Sequence, residues 1–177
     1  FTNADSAEGE GIRSFGSLTL RTGAVDNQRG RIHAVGTLDA TTAYFDNRFG
    51  MIHADTTSTW NSVGFNNQHG TISVLSNATF QLQQNALDND YGVIETNGTL
   101  RLTAGQLNNR WGKLLGKQAF HLLSHALDNQ GGLIKSQHTV DINTQGHQLS
   151  NIDSGKEGGI LSGGSLTLNT GDIHNQR

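Results

Sequence analysis

The sequence predicts an all-β chain wound as a parallel β-helix of about eight coils of 20–24 residues, and three observations carry that expectation. The first is a recurring string, Asp-Asn-x-x-Gly-x-Ile, found as Asp26-Asn27…Gly30…Ile32, Asp46-Asn47…Gly50…Ile52, Asn66-Asn67…Gly70…Ile72, Asp88-Asn89…Gly92…Ile94, Asn108-Asn109…Gly112…Leu114 and Asp128-Asn129…Gly132…Ile134. Weaker copies at Asn3, Asn151 and Asn175 extend the series, with successive Asn spacings of 24, 20, 20, 22, 20, 20, 22 and 24 residues. The second is an apolar residue two before each Asn: Phe1, Val25, Phe45, Phe65, Leu87, Leu107, Leu127, Leu149 and Ile173. The third is an alternating apolar pair later in each unit, read as Leu18/Leu20, Phe80/Leu82, Leu100/Leu102, Phe120/Leu122, Val140/Ile142 and Leu166/Leu168. Period-two spacing puts such side chains on one face of a strand, and no apolar series runs at helical spacing.

Taken in order along one coil, each element has a physical reason. The Asn column (Asn27, Asn47, Asn67, Asn89, Asn109, Asn129) belongs in a turn, because Asn tolerates left-handed geometry and its amide both donates and accepts. Stacked on their copies, these amides are expected to be buried and to bond one another in a ladder. The Gly column (Gly30, Gly50, Gly70, Gly92, Gly112, Gly132) suits either a positive φ or a close approach between coils. The Asp before the Asn gives way to Asn66 and Asn108, which dilutes like charge along that column. The strands come next, and no single unit can bury its own apolar face. Stacking removes the problem by setting equivalent residues about 4.8 Å apart along an axis.

Length irregularities belong in turns, where strand register survives them. In the unit starting at Asn67 the two extra residues are expected between Ile72 and Phe80, and in the unit starting at Asn129 after Ile142. The two 24-residue units place four extra residues after the Asn, within residues 5–10 and 153–158, as charged bulges.

Composition excludes several classes. Hydrophobic residues make up 33% of the 177, below a usual globule, yet their regular placement argues against disorder. A net charge of −3 gives no basic footprint for nucleic acid. Cysteine is absent, so no disulfide or thiolate metal site exists, and no stretch reaches the ~18 apolar residues of a membrane span. The absence of Pro fits uninterrupted sheets. Propeller blades need about 40–45 residues each, and neither the leucine-rich repeat nor the calcium-binding nonapeptide occurs.

Several residue groups invite a chemical reading. His33 and His53 share a coil position and should stack, but the next coils carry Ser73 and Glu95 there, so an exposed stack is expected rather than a metal site. Asp26 and Asp46 also stack, at a spacing near the ~5–5.5 Å of a retaining glycosidase pair. Both obey the repeat, as do Asp88 and Asp128, and a catalytic site should break it. No catalytic residue, metal site or cofactor is therefore expected, and the chain does not read as an enzyme. Asn77-Ala78-Thr79 and Asn97-Gly98-Thr99 match the glycosylation acceptor pattern at equivalent places. Finally, the column two after the Asn reads Arg29, Phe49, His69, Tyr91, Trp111, Gly131. Phe49, His69, Tyr91 and Trp111 should form an exposed strip. It either shields the turns, at about 0.5–1 kcal/mol per pair, or presents ring faces to a glycan or partner.

Units such as Leu87-Asp88-Asn89…Gly92…Ile94…Gly98…Leu100…Leu102 resemble the haemagglutinin repeats of filamentous haemagglutinin and of contact-dependent growth-inhibition effectors, over essentially the whole chain. That resemblance implies a right-handed helix, export by a two-partner outer-membrane transporter of a Gram-negative bacterium, and a secreted cell-surface filament. Such a filament would serve adhesion or toxin delivery and would meet a target-cell receptor or glycan. The Asn-Pro motifs of the family's secretion domain are missing, and nothing resembles a toxin domain. Residues 1–177 thus read as one β-helical segment from the interior of a larger exoprotein, a shaft without a membrane span.

Overall fold

In the computed structural model, which describes residues 1–6 and 11–176, strands alternate with turns and bends and no helix occurs among the described residues. None is therefore long and apolar enough to cross a membrane. The chain winds through eight stacked coils. One sheet takes a single short strand from each: Ile12–Ser14, Arg31–Ala34, Met51–Ala54, Thr71–Val74, Val93–Thr96, Lys113–Gly116, Leu133–Ser136 and Gly159–Ser162. A second sheet takes the rest of each coil. In the first three coils that portion is one long strand, Leu18–Asp26, Leu38–Asp46 and Ser58–Asn66. From the fourth coil on it is broken in two, beginning with Ala78–Gln81 and Ala86–Asp88. Neighbouring strands pair in parallel, with Ile32↔Ile52, Ile52↔Ile72, Ile72↔Ile94 and Ile94↔Leu114 in register. This is the expected β-solenoid.

Pairing corrects two expectations about the fourth coil. Trp60 pairs with Phe80 and Ala78 with Leu100, so Ala78/Phe80 stand in the columns of Leu100/Leu102, and Leu82, buried like Phe80, lies one inward position further on. The two extra residues do not lie between Ile72 and Phe80, where the spacing matches the next coil. Gln81 pairs with Thr103 and Ala86 with Gln106, which places the insertion between residues 81 and 86. There a turn closes with the Asn85 N–H donating to the Leu82 carbonyl. The other 22-residue unit carries its turn at the corresponding corner, after Ile142, with the His147 N–H donating to Thr144. Alternation alone admitted both registers, because Phe80 belongs to either pair; hydrogen bonding to both neighbouring coils selects one. Of the two expected charged bulges, residues 153–158 do insert between Asn151 and Gly159, the partner of Leu133. Residues 7–10 of the other lie outside the described residues.

The interior is filled by columns of stacked side chains. Ile32, Ile52, Ile72, Ile94, Leu114 and Ile134 form one, and Val25, Phe45, Phe65, Leu87, Leu107, Leu127 and Leu149 another, all 2% exposed or less. Volume is conserved coil by coil rather than position by position. The Leu38/Ala40 pair is followed by Ser58/Trp60 and then Ala78/Phe80, so a large residue on one column meets a small one on its neighbour. Trp60 is buried with its indole N–H donated to the Ser58 hydroxyl at 3.0 Å, which is how a column otherwise apolar accepts both. Its ring stacks on Phe80 and meets Phe45 and Phe65 edge-on.

Candidate functional site

The polar turn after the second sheet is the most heavily organised edge of the molecule. Asn27, Asn47, Asn67, Asn89, Asn109 and Asn129 are fully buried. Each Nδ2 donates to the Oδ1 of the Asn one coil on, at 2.6–2.8 Å, in one direction from Asn3 to Asn175. Each of the six also reaches the carbonyl of its own turn Gly at 3.2–3.4 Å. A buried amide that loses one of these partners is left unsatisfied, at about 1–3 kcal/mol.

The turn closes when the Gly N–H donates to the carbonyl of the Asn three residues back, as Gly92 does to Asn89 at 2.9 Å. A Cβ on Gly50, Gly70, Gly92, Gly112 or Gly132 would sit 2.1–2.3 Å from the carbonyl oxygen of the Asn one coil earlier. Close approach therefore explains this Gly column. Positive φ belongs elsewhere: the left-handed residues are Arg29, Phe49, His69, Tyr91, Trp111 and Gly131, at φ 49–63°. Neither the ladder Asn nor the turn Gly carries it, which corrects the left-handed role expected of the Asn. The Asn is fixed by its amide instead.

Asp26, Asp46, Asp88 and Asp128 accept the backbone N–H two residues on, at 3.1–3.2 Å, and Asn66 and Asn108 do the same. An amide oxygen serves as well as a carboxylate, so the stacked acids act as turn caps. Asp46 is further held by Arg48 through three contacts of 2.7–3.1 Å, and Asp128 by Arg110 at 2.7 Å.

The left-handed column carries the rings. Phe49 lies over His69 with centroids 4.8 Å apart and planes within 2°, and His69 over Tyr91 at 5.0 Å and 5°. Trp111 stacks differently: it covers Gly131, whose missing Cβ would fall 2.3 Å from the indole. Phe49, Tyr91 and Trp111 remain about half exposed. His69 is covered on both faces, and Phe49 and Tyr91 each give one face to it. The expected line of rings exists, with part of its face area used internally.

Of the remaining candidates, the Asn77 side-chain Oδ1 accepts the Thr99 N–H at 2.8 Å, tying one acceptor pattern to the next coil, whereas Asn97 is exposed. His33 and His53 sit side by side on adjacent coils as expected, with ring centroids 5.1 Å apart and planes tilted by 59°. The sequence reading missed their companion, Asp55. One of its carboxylate oxygens lies 3.1 Å from His33 Nε2 and 2.8 Å from His53 Nε2. The hydrogen bond from His33, with the charges of both rings, holds the Asp55 carboxyl below its usual range. Asp55 occupies a corner column that reads Val35, Asp55, Leu75, so no repeat signal pointed to it.

The haemagglutinin repeat family profile matches residues 2–73, 57–110, 96–149 and 136–177, which together span nearly the whole chain. Neither a curated protein nor a solved structure matches.

Proposed function

The chain belongs to the haemagglutinin-repeat family, and from that premise we propose that it is a length of shaft in a secreted adhesive filament. The observation that carries this reading is the Asn ladder. It runs in one sense through every coil from Asn3 to Asn175, beside the buried interior columns. Such an arrangement resists bending and holds whatever it carries at a fixed distance, about 4.8 Å per coil. The stacked carboxylates Asp26, Asp46, Asp88 and Asp128 are engaged in turns, which supports a structural rather than an enzymatic role for them. Export through a two-partner outer-membrane transporter, a Gram-negative cell surface and a place within a longer exoprotein, as adhesin or toxin carrier, follow from the family context and form part of the proposal.

A second reading makes the ring column a contact for a receptor or glycan, favoured by the half-exposed side chains of Phe49, Tyr91 and Trp111. One experiment separates the two. In the secreted parent protein, Tyr91 and Trp111 are both changed to Ala, and target-cell attachment is measured beside the melting temperature. As turn shields, the rings contribute about 1–2 kcal/mol in all, so stability falls and attachment persists. Loss of attachment at an unchanged melting temperature would overturn the shaft-only reading and establish the contact.

A further inference from the structure

We infer that His33, His53 and Asp55 form a binding site for one divalent transition-metal ion of the zinc, nickel or copper class, bridging two adjacent coils.

Three features of the fold converge on it. His33 and His53 are directly paired residues of neighbouring strands, so their Cα positions are set by the ladder. Asp55 follows His53 by two residues, at the bend that ends the strand, and stands on the same side. Both ring Nε2 atoms point at a single Asp55 oxygen, at 3.1 and 2.8 Å, and the ligand atoms of all three groups lie within 4.8 Å of one another. Tetrahedral ligation at about 2.0–2.2 Å sets neighbouring donor atoms about 3.3 Å apart. An ion therefore fits if the two imidazoles turn towards each other and the carboxylate withdraws slightly, movements that partly exposed side chains can make.

The architecture does not require these residues. Along the strand column the other coils carry Arg13, Ser73, Glu95, Leu115 and Lys135. At the corner column Asp55 stands between Val35 and Leu75. Chelating side chains occur where both columns meet, in a molecule whose other polar columns repeat. Neither column is fixed by the repeat, so folding does not impose this constellation.

The donor set decides the ion. Two imidazoles and one carboxylate suit borderline transition ions, whereas calcium and magnesium take oxygen donors in larger number. Side-chain exposures of 20–38% leave room for water or an incoming ligand at the remaining positions. On the flank toward the first coil, Arg13 is drawn over the Phe15 ring, 4.6 Å from its centroid, rather than toward Asp55. On the opposite flank the small Ser73 crowds nothing. Because His33 belongs to one coil and His53 and Asp55 to the next, a bound ion would staple the two together.

The test uses the whole chain, freed of metal with a chelator, and Zn2+ as the probe in titration calorimetry. One equivalent should bind, His53→Gln and Asp55→Asn should each weaken it about tenfold or more, and Ca2+ should not compete. His125 and His147 supply the control, since their rings also lie close, with centroids 5.3 Å apart; His125→Gln should leave the affinity unchanged. The melting temperature should rise with Zn2+ in the parent and stay fixed in Asp55→Asn. Equal Zn2+ affinity in the parent and Asp55→Asn, equal weakening by His125→Gln, or displacement by Ca2+ would each overturn the site.

Discussion

Asp90 is an acid in a column that elsewhere reads Gln28, Arg48, Gln68, Arg110 and Gln130. Four of these, Arg48, Gln68, Arg110 and Gln130, reach carboxylates, as Gln68 does to Asp88 at 2.7 Å and Arg110 to Asp128. Asp90 has one buried oxygen with no hydrogen-bond partner, and burial, with the nearby Asp88 charge, raises its pKa. A carboxyl whose folded pKa is raised binds its proton more tightly folded than unfolded. Its contribution is thus fully present below the unfolded value and lost as pH rises through the folded one. Asp90→Gln is accordingly expected to stabilise the chain at pH 7 by a few tenths to about 1 kcal/mol. The gain should vanish in acid, where Asp90 is protonated. Urea midpoints of both proteins at neutral and acid pH check this, and a gain that persists in acid would contradict it.

At the scale of single elements, the turns show where the repeat stores strain and what offsets it. A bulky L-residue in the left-handed region costs about 1–2 kcal/mol, yet Phe49, His69, Tyr91 and Trp111 all adopt it. Their rings stack in return, which an Asn or Gly at that position could not do. The inserted corners lack that compensation: Gln83 has φ 55° and is exposed, with no ring neighbour. Gln83→Gly should remove the strain at some cost in unfolded-chain entropy, for a net gain of up to about 1 kcal/mol. His69→Gly should destabilise instead, because two stacked contacts vanish with the strain. Thermal melts of the two variants moving in the same direction would sink this account.

At the scale of the 177 residues, the eighth coil leaves apolar side chains uncovered. Leu166, Leu168 and Ile173 are 37–49% exposed, although the residues they pair with, Val140, Ile142 and Leu149, are buried. The strands of that last coil also present unpaired backbone, a template for another edge. The 177-residue chain should therefore associate end to end as concentration rises, and Leu168→Lys with Ile173→Lys should hold it monomeric. Sedimentation velocity over a range of concentrations decides the point. Ideal monomer behaviour of the unaltered chain would rule out the stacking face.

The sequence by itself determined the coil count, the stacking of like residues and the ladder, because a solenoid converts a linear period directly into neighbours in space. Asn27 and Asn47 needed only to be twenty residues apart to touch. Where the period is silent, tertiary structure decided. The register of Phe80 was ambiguous in one dimension and was settled by pairing with Trp60 and Leu102 on either side. Positive φ fell on the ring column because the Asn amide must face its neighbours and the Gly must admit a carbonyl, leaving one turn position to bend the other way. Ring faces were spent on one another because parallel coils repeat side-chain orientation as well as position. Asp55 joined His33 and His53 across a coil boundary, and no repeat-based reading finds a contact that occurs once.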